Sequence, residues 1–152
     1  MNIYNSFTAQ QLAEMGAQMA VISPEMHLRH ARDIAGGCEK IITVYGKLPL
    51  MLLKNCPVKA QIGCKKCGGN GALTDRMGKV FPVKCRMGFS ELFNCVPLCL
   101  DKLKDFEFAH YALICITDED KTQAANIVSG YIDNKIQTPD EFTRGLYFRN
   151  VE

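Results

Sequence analysis

Apolar residues recur along this chain in two rhythms, short continuous runs and helix-spaced positions, and the two alternate. Met1 to Asn5, an apolar alternation around Ile3 and Tyr4, predicts a strand. Ser6 or Thr8 then caps a helix closed by Gly16, with Leu12, Met15 and Met19 near helical spacing. Met19 to Ile22 is a buried-strand run, and Ser23-Pro24-Glu25 reads as a helix start, with proline in the first turn and an acid near the positive end of the dipole. That helix carries Met26, Ala31 and Ile34 and stops at Gly36-Gly37. Lys40 to Tyr45, KIITVY, has the β-branched composition of a strand covered on both faces, as in a parallel sheet.

The second half changes character before the alternation resumes. Leu48 to Leu53 is an apolar run leading to Asn55-Cys56-Pro57. Ala72 to Arg76 and Lys79 to Lys84 flank Met77-Gly78, with turn chemistry from Asp75 and Gly78, and predict a hairpin whose second strand Pro82 assigns to an edge. Glu91 to Val96 reads as a strand, Pro97 to Leu103 as a short helix, and Tyr111 to Ile116, YALICI, as a fourth fully apolar strand. Thr117-Asp118-Glu119 supplies an N-cap with acids in the first turn. The helix behind it places Ala124, Ile127, Val128 and Ile132 on one face to about Asn134, and the tail ends with the aromatic pair Tyr147 and Phe148.

Four strand-then-helix units interrupted by a Cys-rich hairpin at about 47–96 predict an α/β fold, half of a (β/α)8 TIM-like barrel. A closed barrel needs at least roughly 200 residues, and the chain has 152. As a single domain it is therefore expected to be a fragment, or the C-terminal half of a larger protein. Its uncovered strand edges would pair with a missing N-terminal half or with a second copy, unless the sheet is simply open.

Composition narrows the class. With 47% hydrophobic and 22% charged residues the chain is globular rather than disordered. No apolar run approaches the roughly 18 residues that span a bilayer, and no basic-then-apolar leader opens it. A soluble, cytoplasmic protein with no membrane partner is expected. A net charge of +2 gives no argument for nucleic acid by itself. Lys59, Lys65, Lys66, Arg76, Lys79, Lys84 and Arg86 do bunch in or beside the Cys-rich stretch. They would attract an anion or RNA, or else offset thiolate charge, and the second reading is preferred.

Cysteine carries the candidate chemistry. Cys56, Cys64, Cys67 and Cys85 are four of eight cysteines, and the tightest pair reads Cys-Lys-Lys-Cys-Gly-Gly. A two-residue spacer followed by glycines lets two thiolates face one ion, and in a reducing compartment such a cluster is more often metal-binding than disulfide-bonded. Four sulfurs suit tetrahedral zinc or an iron–sulfur cluster, and spacing does not separate the two. Inert buried thiols are the bland alternative, and core packing is the expected role of Cys38, Cys95, Cys99 and Cys115.

Several phrases resemble a known family. VYGKLPLMLLKNCPV, GCKKCGG, LTDRMGKVFPVKC, LFNCVPLCL and FTRGLYFRNVE, with the earlier NIYNSFTAQQLAEMG and VISPEM, are similar in that order to the C-terminal half of the collagenase-like peptidases of family U 32. The resemblance implies the second half of a TIM-like barrel and a protein classed as a protease. It also implies kinship with iron–sulfur proteins serving oxygen-independent hydroxylation of RNA bases or of a quinone precursor. By the same likeness, Cys56 and one of Cys64 or Cys67 stand at ligand positions and Cys99 matches another. Pro49 stands where those relatives have a cysteine, with Cys85 as its replacement.

Three functions follow as expectations. Peptide hydrolysis is the first, with a peptide as substrate. Proteolysis needs a nucleophile with a base or an open metal site, yet His27, His30 and His110 form no HExxH and no serine sits in a G-x-S-x-G elbow. The isolated chain is therefore expected to be inactive as a protease, with no catalytic residue identified. His27 and His30 read as a solvated helix face. The second is a metal or iron–sulfur domain of an RNA- or cofactor-modifying enzyme, with Cys56, Cys64, Cys67 and Cys85 as ligands and Lys65 and Lys66 facing solvent or an anionic substrate. Asp75 and Arg76 would then support the ligands or brace the turn. The third is a structural zinc knuckle without catalysis, since a fully occupied four-sulfur site has no open position.

Overall fold

The β-branched run KIITVY becomes the middle of a sheet. A computed structural model describes residues 2–86 and 88–148. Met1 of the expected first strand, and residues 149–152 of the tail, lie outside them. In chain order the elements are β1 (Asn2–Ile3), α1 (Ser6–Glu14), β2 (Met19–Ile22), α2 (Leu28–Asp33), β3 (Glu39–Gly46), β4 (Pro49–Leu53), α3 (Pro57–Ile62) and α4 (Cys64–Cys67). They continue with β5 (Asn70–Thr74), β6 (Val80–Arg86), β7 (Phe89–Phe93), β8 (Leu98–Cys99), a 3-10 turn at Leu103–Phe106, β9 (Tyr111–Ile114) and α5 (Lys121–Ile132). The fold is mixed α/β with two sheets. The chain divides into two compact units, one of residues 1–46 and 98–152, the other Lys47–Pro97.

In the first unit β1, β2, β3 and β9 are parallel, each paired with its predecessor in that order. β8 adds a short antiparallel rung, Tyr45 opposite Cys99 and Gly46 opposite Leu98. From Ile42 to Gly46 every residue of β3 is buried, as its composition demands. Ile3, Ala9, Ala20, Ile22, Met26, Ala31, Ile34 and Cys38 form the apolar core beside it. Gly36 is needed there, because a Cβ at that position would lie 2.7 Å from that of Ala9 and its φ is +146°.

Several boundaries differ from the sequence expectation, each for a local reason. The cap of α1 is Asn5, whose Oδ1 accepts the Thr8 N–H at 2.8 Å, rather than Ser6 or Thr8. Ser6 instead accepts the Ala35 N–H with its hydroxyl at 2.9 Å. Ser23-Pro24-Glu25 forms a turn, and α2 begins later behind His27, whose Nδ1 accepts the Arg29 N–H at 3.1 Å. The cap of α5 is Asp120, in a reciprocal capping box with Gln123. Glu119 accepts the Tyr45 hydroxyl at 3.2 Å. Pro97 to Leu103 contains β8 rather than a helix.

α5 packs on a different stripe from the one read in sequence. Ala124, Ile127 and Tyr131 are half-buried, whereas Ile132 is 78% exposed and Val128 lies outward. Tyr131 decides this: its hydroxyl donates to the Val44 carbonyl at 2.8 Å and lies 3.2 Å from that of Leu100. β9, which its sequence gives as a fully apolar strand, lies at an edge with Tyr111 exposed. The tail is tied back, since the Thr143 carbonyl accepts the Cys99 N–H and the Tyr147 carbonyl that of Leu28, both at 2.9 Å.

The second unit is an antiparallel sheet in the order β4-β7-β6-β5. The expected hairpin is β5–β6. Asp75 Oδ1 accepts the N–H groups of Met77 at 2.8 Å and Lys79 at 2.9 Å, which gives Asp75 the role of a turn residue. β6 is an inner strand rather than the edge that Pro82 suggested. The β7 ladder covers only Val83 to Arg86, so Pro82 sits one residue beyond it, where a missing N–H breaks no bond. The outer strand β4 leaves Leu50, Met51 and Leu52 exposed.

Gly46 gives a direct check on the first unit. Its φ is +128°, and an added Cβ would stand 2.7 Å from that of Cys115 and closer still to the Cys115 backbone. Gly46→Ala is expected to cost roughly 3 kcal/mol in urea unfolding. Gly68→Ala, in the left-handed helical region at φ +59° with open space around it, should cost only about 1 kcal/mol.

Candidate functional site

Cys56 owes its place to the residues on either side. Pro57 occupies the first position of α3 with its φ already helical, and Cys56 is the extended residue before it. Val58 next to it is 2% exposed and rests on Gly71 of β5, where any Cβ would lie 2.6 Å from a Val58 methyl. This contact holds α3 against the sheet.

On the sheet itself, β7 lies between β4 and β6, and its Ser90 stands opposite both Leu53 and Cys85. Ser90 is 2% exposed. Its hydroxyl is 3.7 Å from Cys85 Sγ and also hydrogen-bonds the Cys56 thiol. The Cys56 thiol lies below the ordinary cysteine range, first because of the Ser90 hydroxyl and then the Lys59 backbone N–H; burial opposes this, and smaller help comes from the Val58 N–H and the Cys85 thiol. Two sulfurs therefore share one buried hydroxyl.

They border a cavity of about 570 Å³, whose wall also includes Lys54, Lys59, Arg86 and Phe89. Arg86 Nε pairs with Glu91 at 3.1 Å.

Comparison with protein-family models, curated proteins and solved structures finds no match for this chain. The chemistry of the site is thus carried by its own geometry.

Cys64 and Cys67 occupy α4, a single helical turn between Gly63 and Gly68, which have φ of +73° and +59°. Spaced by three, their side chains leave the same side of the turn. Cys64 is exposed and Cys67 half-buried. α4 packs on α3, the helix that Cys56 begins. Among the described residues no group of three or more His, Cys, Asp or Glu side chains is arranged to hold a metal ion. The four cysteines fit a soft ion in donor type, and the geometry joins them in one pair, Cys56 with Cys85.

All eight cysteines are free thiols. Cys38 is buried, with Sγ 3.4 Å from the Ala9 carbonyl and 3.3 Å from that of Ala17, as a core thiol should be. Cys99 is buried in the first unit with Sγ 3.8 Å from the Tyr131 hydroxyl, and burial raises its thiol pKa. Burial likewise raises that of Cys115. Cys95 lies beside the Asn94 amide oxygen at 3.6 Å. His110 Nδ1 accepts the Lys40 N–H at 3.1 Å, and His27 is a helix cap.

Ser90 and Lys54 were absent from the residues singled out in the sequence. The signal for Ser90 was the β6–β7 pairing, in which Cys85 and Ser90 face each other five residues apart.

A lowered pKa means more thiolate at a given pH. In reduced, chelator-treated protein, iodoacetamide should label Cys56 well before Cys99, with a pH midpoint below that of an ordinary thiol. Ser90→Ala should move the Cys56 midpoint upward and slow labelling at pH 7 several-fold. Peptide mass spectrometry across a pH series reads both effects.

Proposed function

We propose that this chain is the cysteine-bearing half of a protein of the peptidase U 32 type, and that its antiparallel unit binds a metal ion or iron–sulfur cluster through Cys56 and Cys85, with Cys64 and Cys67 completing the set. The observation that supports the reading is the shared Ser90 hydroxyl, which holds two sulfurs together and favours the thiolate that a soft metal requires. Zinc at such a site would supply a redox-silent brace, and a cluster would supply electron transfer. The protein's own part is to orient Cys56 and Cys85 through Ser90, to stabilise negative sulfur with the Lys59 N–H, and to offer a second thiol pair on the glycine-flanked turn α4.

The parallel strands β1, β2, β3 and β9, with α1, α2 and α5 as their helices, support the finer reading of half a (β/α)8 barrel. The partner we propose is a complementary barrel half or a second copy, meeting β1 or β9. The substrate would be a peptide or an RNA.

One observation favours a second reading, peptide hydrolysis with Cys56 as nucleophile: an activated thiol opens onto a cavity. Against it, the cavity wall contains no His, Asp or Glu among the described residues to act as general base.

Elemental analysis and visible absorption of protein prepared without oxygen test the first reading. About one zinc per chain, or an iron-to-sulfide absorption band, is expected. Cys56→Ser and Cys85→Ser should each lower occupancy at least ~10-fold, while Cys38→Ser and Cys95→Ser retain it. Metal-free wild-type protein, or unchanged occupancy in Cys56→Ser, would sink the proposal. Cleavage of a denatured protein that persists after chelation and is lost in Cys56→Ser would favour the second reading instead.

A further inference from the structure

The cavity beside Cys56 has a feature that a thiol site alone does not need. Four elements each contribute one large side chain to its wall: Lys54 after β4, Lys59 from α3, Arg86 from β6 and Phe89 from β7. Arg86 is engaged by Glu91, but among the described residues neither lysine forms an ion pair and none of those lining the wall carries a carboxylate. Even with Cys56 as a thiolate, positive charge is in excess. Phe89 is 48% exposed, a cost that an aromatic side chain in a wet wall recovers when a ring covers it.

We infer that this cavity is a binding site for a small phosphate ester carrying a planar ring, the phosphate held between Lys54 and Lys59 and the ring laid on Phe89. Ammonium groups on flexible stems suit a phosphate as point charges. Approach of an anion is favoured by a concave surface with an excess of positive charge, which concentrates the field. The volume, about 570 Å³, lies within the usual span of small-ligand sites, roughly 300–1,000 Å³. Lys54 and Lys59 lie close together on either side of Cys56, and the fold of this unit brings Arg86 to the same wall from a distant strand. Preference of the lysines for a ligand phosphate goes beyond the metal reading and does not depend on it.

Calorimetric titration of the full chain with inorganic phosphate and with phenyl phosphate tests the site, with metal content measured on the same samples. Phenyl phosphate is expected to bind several-fold tighter than inorganic phosphate. Lys54→Ala/Lys59→Ala should weaken both at least ~10-fold, and Phe89→Ala should weaken phenyl phosphate alone. Lys102→Ala/Lys104→Ala, an equal charge change in the other unit, should alter neither. Circular dichroism confirms that each variant is folded. Absence of saturable binding, wild-type affinity in Lys54→Ala/Lys59→Ala, or an equal loss in Lys102→Ala/Lys104→Ala overturns the inference. Full metal occupancy with any of these results removes this inference alone, and metal-free protein that binds phenyl phosphate as described removes only the metal reading.

Discussion

A single buried hydroxyl governs the second unit. Ser90 sits on the strand between two others, so its position is set by two ladders at once, and among the described residues its side chain bonds only the sulfurs of Cys56 and Cys85. Burying a hydroxyl without a partner costs on the order of 1–3 kcal/mol. Both thiols are therefore drawn to one point, and the negative form of Cys56 is the better acceptor. Packing reinforces this from the other side: Val58 fits over the bare backbone of Gly71 and fixes where α3 begins, and hence where Cys56 stands.

The fold was legible in the sequence where burial is total and illegible where it is shared. KIITVY announces a covered strand through its run of β-branched residues, Ile41 to Val44, and β3 is buried from Ile42 onward. YALICI is apolar throughout yet forms β9 at an edge, since composition records what a strand tolerates and says nothing of which neighbours arrive. Caps failed for a related reason. Asn5, His27 and Asp120 each lie within four residues of the cap that sequence favoured, and the choice among nearby polar residues is made by tertiary bonds, as when Ser6 is taken by Ala35. Tyr131 lies outside the apolar stripe of Ala124, Ile127, Val128 and Ile132, yet the Val44 and Leu100 carbonyls draw its hydroxyl inward.

The site shows the same division. Cysteine spacing singled out Cys56, Cys64, Cys67 and Cys85 as candidates, and the structure brings two of them, Cys56 and Cys85, to one hydroxyl. Which of them meet is a question of strand register. Asn55-Cys56-Pro57 and the Cys85 strand approach through β7, which no local pattern connects to them. The Cys-Lys-Lys-Cys-Gly-Gly motif, read as a knuckle, is a helical turn whose glycines lie on both sides, Gly63 before and Gly68 after.

That arrangement bears on how four sulfurs would come to one ion. Cys56 and Cys85 are fixed by a sheet and a packed helix, whereas Cys64 and Cys67 ride on a single turn bounded by left-handed glycines with open space about them. A rigid pair presented by the sheet and an adaptable pair presented by a glycine-flanked turn is a division of labour suited to a metal, because ligands that must lose their protons and converge are costly to hold together beforehand. Mutual repulsion of preassembled thiolates would destabilise the metal-free chain, and separation of the pairs avoids it. In the proposed site, the free energy of coordination would bring the two pairs together.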